Sequence, residues 1–278
     1  PAAVAQYAAN TTNPTNLSRT NTGAIAPNFH LPRSLKATLS ADYRLFGINF
    51  GGDYLYTKNV DGVIFTDLRS VPVGVMPDGR VRYGSATIFA DPDYDILATN
   101  SSQGYSHVIV ARFDKEFDWG LQFGGSFTRQ WVKDVGNATS STINSNYRNQ
   151  FYGIDPNNPA YGTSADQIKW QFKYSVGFDH AFFGDYKTRI QLFGETRAGR
   201  AYSYTMFDNS NNVRSPVFGT VLSGSAPTNL LYVPTGLNDP RVSYGDSGTS
   251  GGLTAAQTAQ VLDAYINAHP DLAKYRGM

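Results

Sequence analysis

From Gln167 to Thr196 the chain alternates oily and polar residues with a period of two, and no other stretch constrains the fold as tightly. The even positions run Ile168, Trp170, Phe172, Tyr174, Val176 and Phe178, against Gln167, Lys169, Gln171, Lys173, Ser175, Gly177 and Asp179. After Phe182-Phe183-Gly184-Asp185 the pattern resumes, with Thr188, Ile190, Leu192, Gly194 and Thr196 set against Arg189, Gln191, Glu195 and Arg197. Successive strand residues face opposite sides of a sheet, so the stretch predicts a hairpin with one oily and one charged face. Strands in soluble domains usually run to about 5–6 residues. Here the alternation holds for roughly ten, which at about 3.3 Å per residue and a tilt near 45° spans an apolar band of about 25 Å. The expectation is a transmembrane β-hairpin.

Charge pairing predicts the register. A three-residue loop at Phe183–Asp185 opposes Phe182 to Tyr186, Phe178 to Ile190 and Val176 to Leu192. On the polar side Lys173 then falls opposite Glu195, and Asp179 opposite Arg189, each pair contributing about 0.2–1 kcal/mol. A shift by two residues would set Lys173 against Arg197, so the charges favour the first register.

The same alternation recurs along the chain. Residues 1–33 are rich in Asn, Thr and Pro and read as a loop. Leu35, Ala37, Leu39, Ala41, Tyr43 and Leu45 then alternate with Lys36, Thr38, Ser40, Asp42 and Arg44. A tight turn at Phe46-Gly47 leads into Ile48, Phe50, Gly52, Tyr54 and Tyr56, with Leu39 opposite Tyr54 and Tyr43 opposite Phe50. Residues 67–103 read as a long excursion. Tyr105, His107, Ile109, Ala111 and Phe113 follow, then a turn at Lys115–Gly120 and a strand carrying Leu121, Phe123, Gly125 and Phe127. A second long loop covers about Lys133–Ala165, ahead of the central hairpin.

Beyond residue 206 the chain is polar, and residues 207–278 read as a loop region. Thr254 with Gln257 is a capping-box pattern that opens a helix at about residues 255–268, ended by His269-Pro270. Val261, Leu262, Tyr265 and Ile266 give it one apolar face. Strands and loops thus occupy residues 34–206, with turns alternating short and long. Outer-membrane barrels have short periplasmic turns and longer extracellular loops. The fold class expected is all-β, an antiparallel transmembrane β-barrel segment of about six long strands. Six fall short of the usual minimum of about eight, so residues 1–278 are expected to be part of a larger barrel.

Composition removes other classes. The chain has no Cys, which excludes disulfides and thiolate metal sites, and its net charge of +1 gives no support for nucleic-acid binding. No run of about 18 apolar residues is present to make a transmembrane helix. Ala2–Ala9 is too short, and lacks the basic flank, for a signal peptide.

Several phrases resemble the barrel of Oar-like TonB-dependent outer-membrane receptors. They are Asn28-Phe29-His30-Leu31-Pro32-Arg33-Ser34-Leu35-Lys36, Tyr54-Leu55-Tyr56-Thr57-Lys58 and Asn100-Ser101-Ser102-Gln103-Gly104-Tyr105-Ser106. Gly199-Arg200-Ala201-Tyr202-Ser203-Tyr204 and Leu230-Leu231-Tyr232-Val233-Pro234 follow in the family's order. The resemblance implies a barrel of about 22 strands around an N-terminal plug, in the outer membrane of a Gram-negative bacterium. It implies a receptor that binds a scarce small solute in its extracellular loops and passes it through the barrel when the plug is remodelled. Its partners would be outer-membrane lipid, the plug and remaining strands of the parent chain, and the TonB complex. No cofactor and no enzymatic activity are expected. A passive porin, an outer-membrane adhesin and a soluble β-sandwich binding module are the alternatives. Where the family often has an acidic Asp-Gly repeat, this chain has Asp208-Asn209-Ser210-Asn211-Asn212.

Other motifs carry less. Gly245-Asp246-Ser247-Gly248 matches the nucleophile tetrapeptide of chymotrypsin-like proteases, but a triad also needs a His base and a buried Asp. His107, the upstream candidate, sits in an ordinary strand pattern, and the tetrapeptide reads as a Ser/Gly loop. Asp91, Asp93 and Asp95 have the alternating spacing of a calcium loop, as do Asp208, Ser210 and Asn212. Ile96 and Val213 stand where a calcium loop has Gly, and neither has the Glu at position twelve, so both read as solvated polar loops. The lumen charges Lys36, Arg44, Lys169, Lys173, Arg189 and Arg197 are candidates for guiding an anionic substrate, or for pairing with Asp42, Asp179 and Glu195 or with the plug. Tyr202, Tyr204, Phe207 and Tyr232 are candidates for stacking on a ligand, or members of an aromatic girdle.

Overall fold

Alternation does build strands throughout the computed structural model, which describes residues 21–85, 94–136, 138–148, 155, 157–206, 229–244 and 252–278. In chain order the strands are β1 (Thr22–Ile25), β2 (Arg33–Leu45), β3 (Ile48–Asp67), β4 (Ser70–Val75), β5 (Val81–Ser85), β6 (Asp95–Ser101) and β7 (Tyr105–Glu116). Then come β8 (Leu121–Asp134), β9 (Gly162–Thr163), β10 (Trp170–Phe183), β11 (Tyr186–Arg197), β12 (Thr205–Met206) and β13 (Asn229–Leu230). The helices are α1 (Ile143–Arg148), α2 (Ala255–Ala268) and α3 (Pro270–Ala273). The protein is mostly β-sheet, and none of the described helices is long and apolar enough to cross a membrane.

Six long strands lie side by side in the order β2-β3-β7-β8-β10-β11, every neighbouring pair antiparallel. Three tight turns close one end of this sheet, and the long connections leave from the other. Among the described residues β2 and β11 each have one strand neighbour, so the sheet is open. One continuous row crosses it as Tyr43, Phe50, Phe113, Gly125, Tyr174 and Gly194. The apolar sets expected separately for each strand therefore share one face.

The turns explain the registers. Phe46 and Gly47 both take positive φ, 53° and 72°, the pattern of a type I′ turn whose twist matches the flanking strands. Leu39 consequently pairs with Tyr54 and Tyr43 with Phe50. In the central hairpin Lys173 pairs with Glu195, Asp179 with Arg189, Phe178 with Ile190 and Val176 with Leu192. The turn itself departs from expectation: Phe183, not Phe182, opposes Tyr186, across a two-residue turn at Gly184-Asp185. An irregularity between Ala181 and Phe183 absorbs the extra residue. Gly184, at φ 58°, stands at the first turn position, where glycine accepts the left-handed conformation without strain.

The long loops hold more structure than expected. β3 runs on for 20 residues, and its last part, Gly62–Asp67, pairs with β6, which in turn takes β1 in parallel. The excursion at 67–103 thus contains the hairpin β4–β5 and the strand β6, and the loop at 1–33 contains β1. The stretch 133–165 holds α1 and β9. Phe65, Ile96, Ala98 and Tyr147 form a buried core at this end of the sheet, with Phe29, Val63, Tyr94 and Ile143 packed around it. A second core joins Val233, Ile266 and Leu272, with Tyr204, Leu231 and Leu262 against it. The long sheet itself buries little: Leu39 is 72% exposed and Leu192 69%.

α2 begins as expected, with Thr254 as N-cap and both hydrogen bonds of the capping box to Gln257. His269 ends it and Pro270 starts α3. Its expected apolar face divides, however. Ile266 is fully buried and Leu262 partly so, while Val261 and Tyr265 remain exposed.

Candidate functional site

A cavity of about 890 Å³ opens at the loop end of β10 and β11. Distant segments build it: the β4–β5 turn gives Asp78 and Arg80, the approach to β10 gives Lys169, and the chain after β11 gives Arg200, Tyr202 and Tyr204. Leu231 and Tyr232 line it from beyond β13, and Asp271, Lys274 and Tyr275 from α3 and the residues after it.

Hydrogen bonds fix these walls. Arg80 bonds Asp78 through Nε at 2.6 Å, and its guanidinium also reaches the Leu230 carbonyl at 2.7 Å. Both side chains of that pair are about nine-tenths buried, 11% and 10% exposed, so Arg80 ties the β4–β5 turn to β13. On the opposite side Val233 N–H donates to the Met278 carbonyl and Gly277 N–H to the Val233 carbonyl. Arg276 bonds the Pro234 carbonyl, Asp263 and Asn267, which holds the chain after α3 against α2. Asp239 accepts from the Tyr232 hydroxyl at 2.9 Å, from Thr235 N–H and hydroxyl, and from Arg241 N–H. The backbone donors, Thr235 first, hold its carboxyl well below the usual range.

Two phenols and one carboxylate mark the centre. Tyr202 and Tyr204 both donate to Asp271 Oδ2, at 3.1 and 3.0 Å, and their rings meet edge to face with centroids 5.5 Å apart. The Tyr204 bond lowers the Asp271 pKa, while the contact with Tyr202, burial and Asp271 push the Tyr204 phenol well above its ordinary range. Both phenols engage one carboxylate oxygen of Asp271, and Asp78 is paired with Arg80. Lys169, Arg200 and Lys274 face the same space, Lys274 with its Nζ over the Tyr275 ring at 4.9 Å from the centroid. The cavity therefore offers ring faces, apolar surface from Leu231 and an excess of cations. That combination suits an anionic solute with a planar or ring-bearing part.

Of the residues singled out in the sequence, Lys169, Tyr202, Tyr204 and Tyr232 come together here. Lys173, Arg189, Glu195 and Arg197 do not. They lie on the polar face of the sheet, where Arg189 pairs with Asp179 at 2.7 Å and Arg197 with Glu195 at 3.3 Å. Lys173 reaches Glu195 at 4.0 Å. A further network on this face, Asp42–Arg112–Asp53, joins β2, β3 and β7, and pairs Asp42 with Arg112, which was not among the expected cations. Asp95 bonds Arg69 and Thr22, while Asp91 and Asp93 lie outside the described residues. So do Phe207, Asp208, Ser210, Asn212 and the Gly245–Gly248 tetrapeptide. Arg200 lies in the same phrase as Tyr202 and Tyr204, whereas Arg80, Asp271, Lys274 and Tyr275 share no pattern with it, because only folding brings their segments together.

Comparison of the chain with family models, with curated proteins and with solved structures finds no match.

Proposed function

We propose that this chain is part of an outer-membrane β-barrel receptor that takes up a scarce small solute, with the loop-end cavity as its solute-binding site. One observation carries the reading: a sheet of six strands, each at least 12 residues long, leaves its apolar face uncovered while its loops bury true cores. Monomeric proteins in water rarely expose apolar patches beyond a few hundred Å². Lipid is the solvent that removes the conflict, and in lipid an open edge must meet another strand, so β2 and β11 would be continued by further strands of the parent.

The ends of the apolar face fit the two interfaces of a bilayer. Phe46, Trp119, Phe182, Phe183 and Tyr186 cluster at the turn end, and Tyr54, Tyr56, Tyr105, Trp131 and Trp170 at the loop end. Such paired girdles flank the apolar band of membrane barrels. The polar face, with its charge pairs, would line the lumen or meet a plug.

Dependence on TonB rests on the family resemblance of the five sequence phrases alone. Its test is solute uptake by the parent protein in cells with and without TonB. Uptake should stop in the deletion strain while binding to the cell surface persists. Uptake that continues unchanged would assign a passive porin instead.

A further inference from the structure

Charge divides the two faces of the long sheet unevenly. By alternation, every Asp and Glu of the six long strands except Asp67, which is buried at the far end of β3, stands on the polar face, from Asp42 and Asp53 to Asp179 and Glu195. The apolar face carries charge only as cations: Lys58, Lys115, Arg129 and Lys133. Arg33, across an irregularity from Ser34, turns to Asp61. Lys115 lies at the turn end, bonded to the Phe46 carbonyl at 3.1 Å.

The other three gather at the loop end. Lys58, Tyr105 and Lys133 form one row across β3, β7 and β8, and Arg129 stands two rows below, level with Ile109 and Tyr54. Strand spacing sets Lys58 and Lys133 about 10 Å apart, and the rise sets Arg129 about 13 Å from Lys133. An aromatic platform lies between them. His107 Nδ1 shares a hydrogen bond of 2.7 Å with the Tyr54 hydroxyl, and its ring is flanked by Tyr56 and Tyr105 at ring separations of 5.1 and 5.2 Å. The Arg129 guanidinium lies 5.1 Å from the Trp131 ring, and Lys133 Nζ 5.9 Å from Tyr161. Neither Arg129 nor Lys133 has a carboxylate partner among the described residues. Lys58 spends one ammonium proton on the Ser102 carbonyl, leaving two.

We infer that Lys58, Arg129 and Lys133 form a docking surface for the phosphate group of a phosphorylated lipid in the leaflet at the loop end. The inference rests on the membrane reading above. Cations on a lipid-facing surface are tolerated near an interface and find their best partner in an anionic headgroup. Arg and Lys bind phosphate through charge-assisted hydrogen bonds, and at Arg129 and Lys133 no carboxylate among the described residues competes for them. A lipid suits the surface better than a soluble anion, because Ile109, level with Arg129, and Phe127, one row below it, stand on the same face to receive acyl chains.

The test uses the intact parent receptor in phosphatidylcholine nanodiscs titrated with phosphatidic acid, whose monoester phosphate is the probe. Bound lipid is counted by native mass spectrometry. The wild-type protein should retain phosphatidic acid over phosphatidylcholine, and Arg129→Gln with Lys133→Gln should lower that retention about tenfold or more. Each single substitution should lower it in part, and Lys36→Gln on the polar face should leave it unchanged. Inorganic phosphate should not displace the lipid; displacement would show a soluble-anion site and overturn the assignment. A receptor that inserts but shows no preference for phosphatidic acid overturns this inference alone. A receptor that does not enter nanodiscs at all overturns the membrane reading, and the inference with it.

Discussion

Replacing Leu192 by Arg separates a lipid-facing sheet from a water-facing one. Leu192 sits on β11 opposite Val176, 69% exposed, so almost nothing in the protein would clash with or shield an arginine there. If the apolar face meets water, the change is a surface substitution and should cost no more than about 0.5 kcal/mol. If it meets lipid, depth decides. Leu192 lies six residues past Tyr186, about 20 Å along a tilted strand, which places it near the middle of an apolar band of about 25 Å. An arginine there should cost about 2–4 kcal/mol, or about 30- to 700-fold in the folding equilibrium. Gln191→Arg is the control, since Gln191 faces the polar side opposite Gly177. The assay is urea unfolding of the parent protein in lipid vesicles, following tryptophan fluorescence. Equal stability of the two variants would refute the lipid-facing assignment.

Other expectations follow from the turns, the cap and the cavity. A Cβ at Gly120 would sit 1.9 Å from the Asp179 carbonyl at φ 101°, whereas one at Gly184, φ 58°, meets nothing within 4 Å. Gly120→Ala should therefore destabilise by well over the ~1 kcal/mol typical of Gly184→Ala, as read by the urea midpoints of the two variants. Thr254→Ala removes the capping box of α2 and should cost about 1 kcal/mol, seen as faster amide hydrogen exchange in Ala255–Thr258. The Asp271 carboxyl is held down by Tyr204, so its contribution is present at neutral pH and is lost as pH falls through its lowered pKa. Tyr204→Phe should move that loss to higher pH, toward the ordinary carboxylate range, in a carboxyl NMR titration; an unchanged titration would remove the phenol as the cause.

Much of the long sheet was legible because its causes are local. A period of two assigns faces strand by strand, and opposite charges at Lys173, Asp179, Arg189 and Glu195 select one register among those that preserve the faces. Thr254 and Gln257 specify a helix start within one turn. The missed features depend on distant partners. β3 continues to Asp67 because β6 pairs with Gly62–Asp67, and no alternation within β3 announces where that partner comes from. The turn at Gly184-Asp185 is one residue shorter than the alternation implies, because Phe182 is absorbed at an irregularity without disturbing the pairing of Phe178 with Ile190. The cavity was half legible. Tyr202 and Tyr204 stood out as aromatics, but Asp271, which both of them bond, follows them by 69 and 67 residues with no shared motif.

The central claim is that one face of the long sheet meets lipid and the other water. Site-directed spin labels at successive positions from Lys187 to Thr196 in the parent protein, reconstituted in vesicles, test it most directly. Collision with oxygen, which concentrates in lipid, and with a water-soluble nickel chelate should alternate with a period of two. Even positions such as Ile190 and Leu192 should favour oxygen, and odd positions such as Arg189 and Gln191 the nickel chelate. Nickel access at Ile190 and Leu192 equal to that at Arg189 and Gln191 would contradict the account.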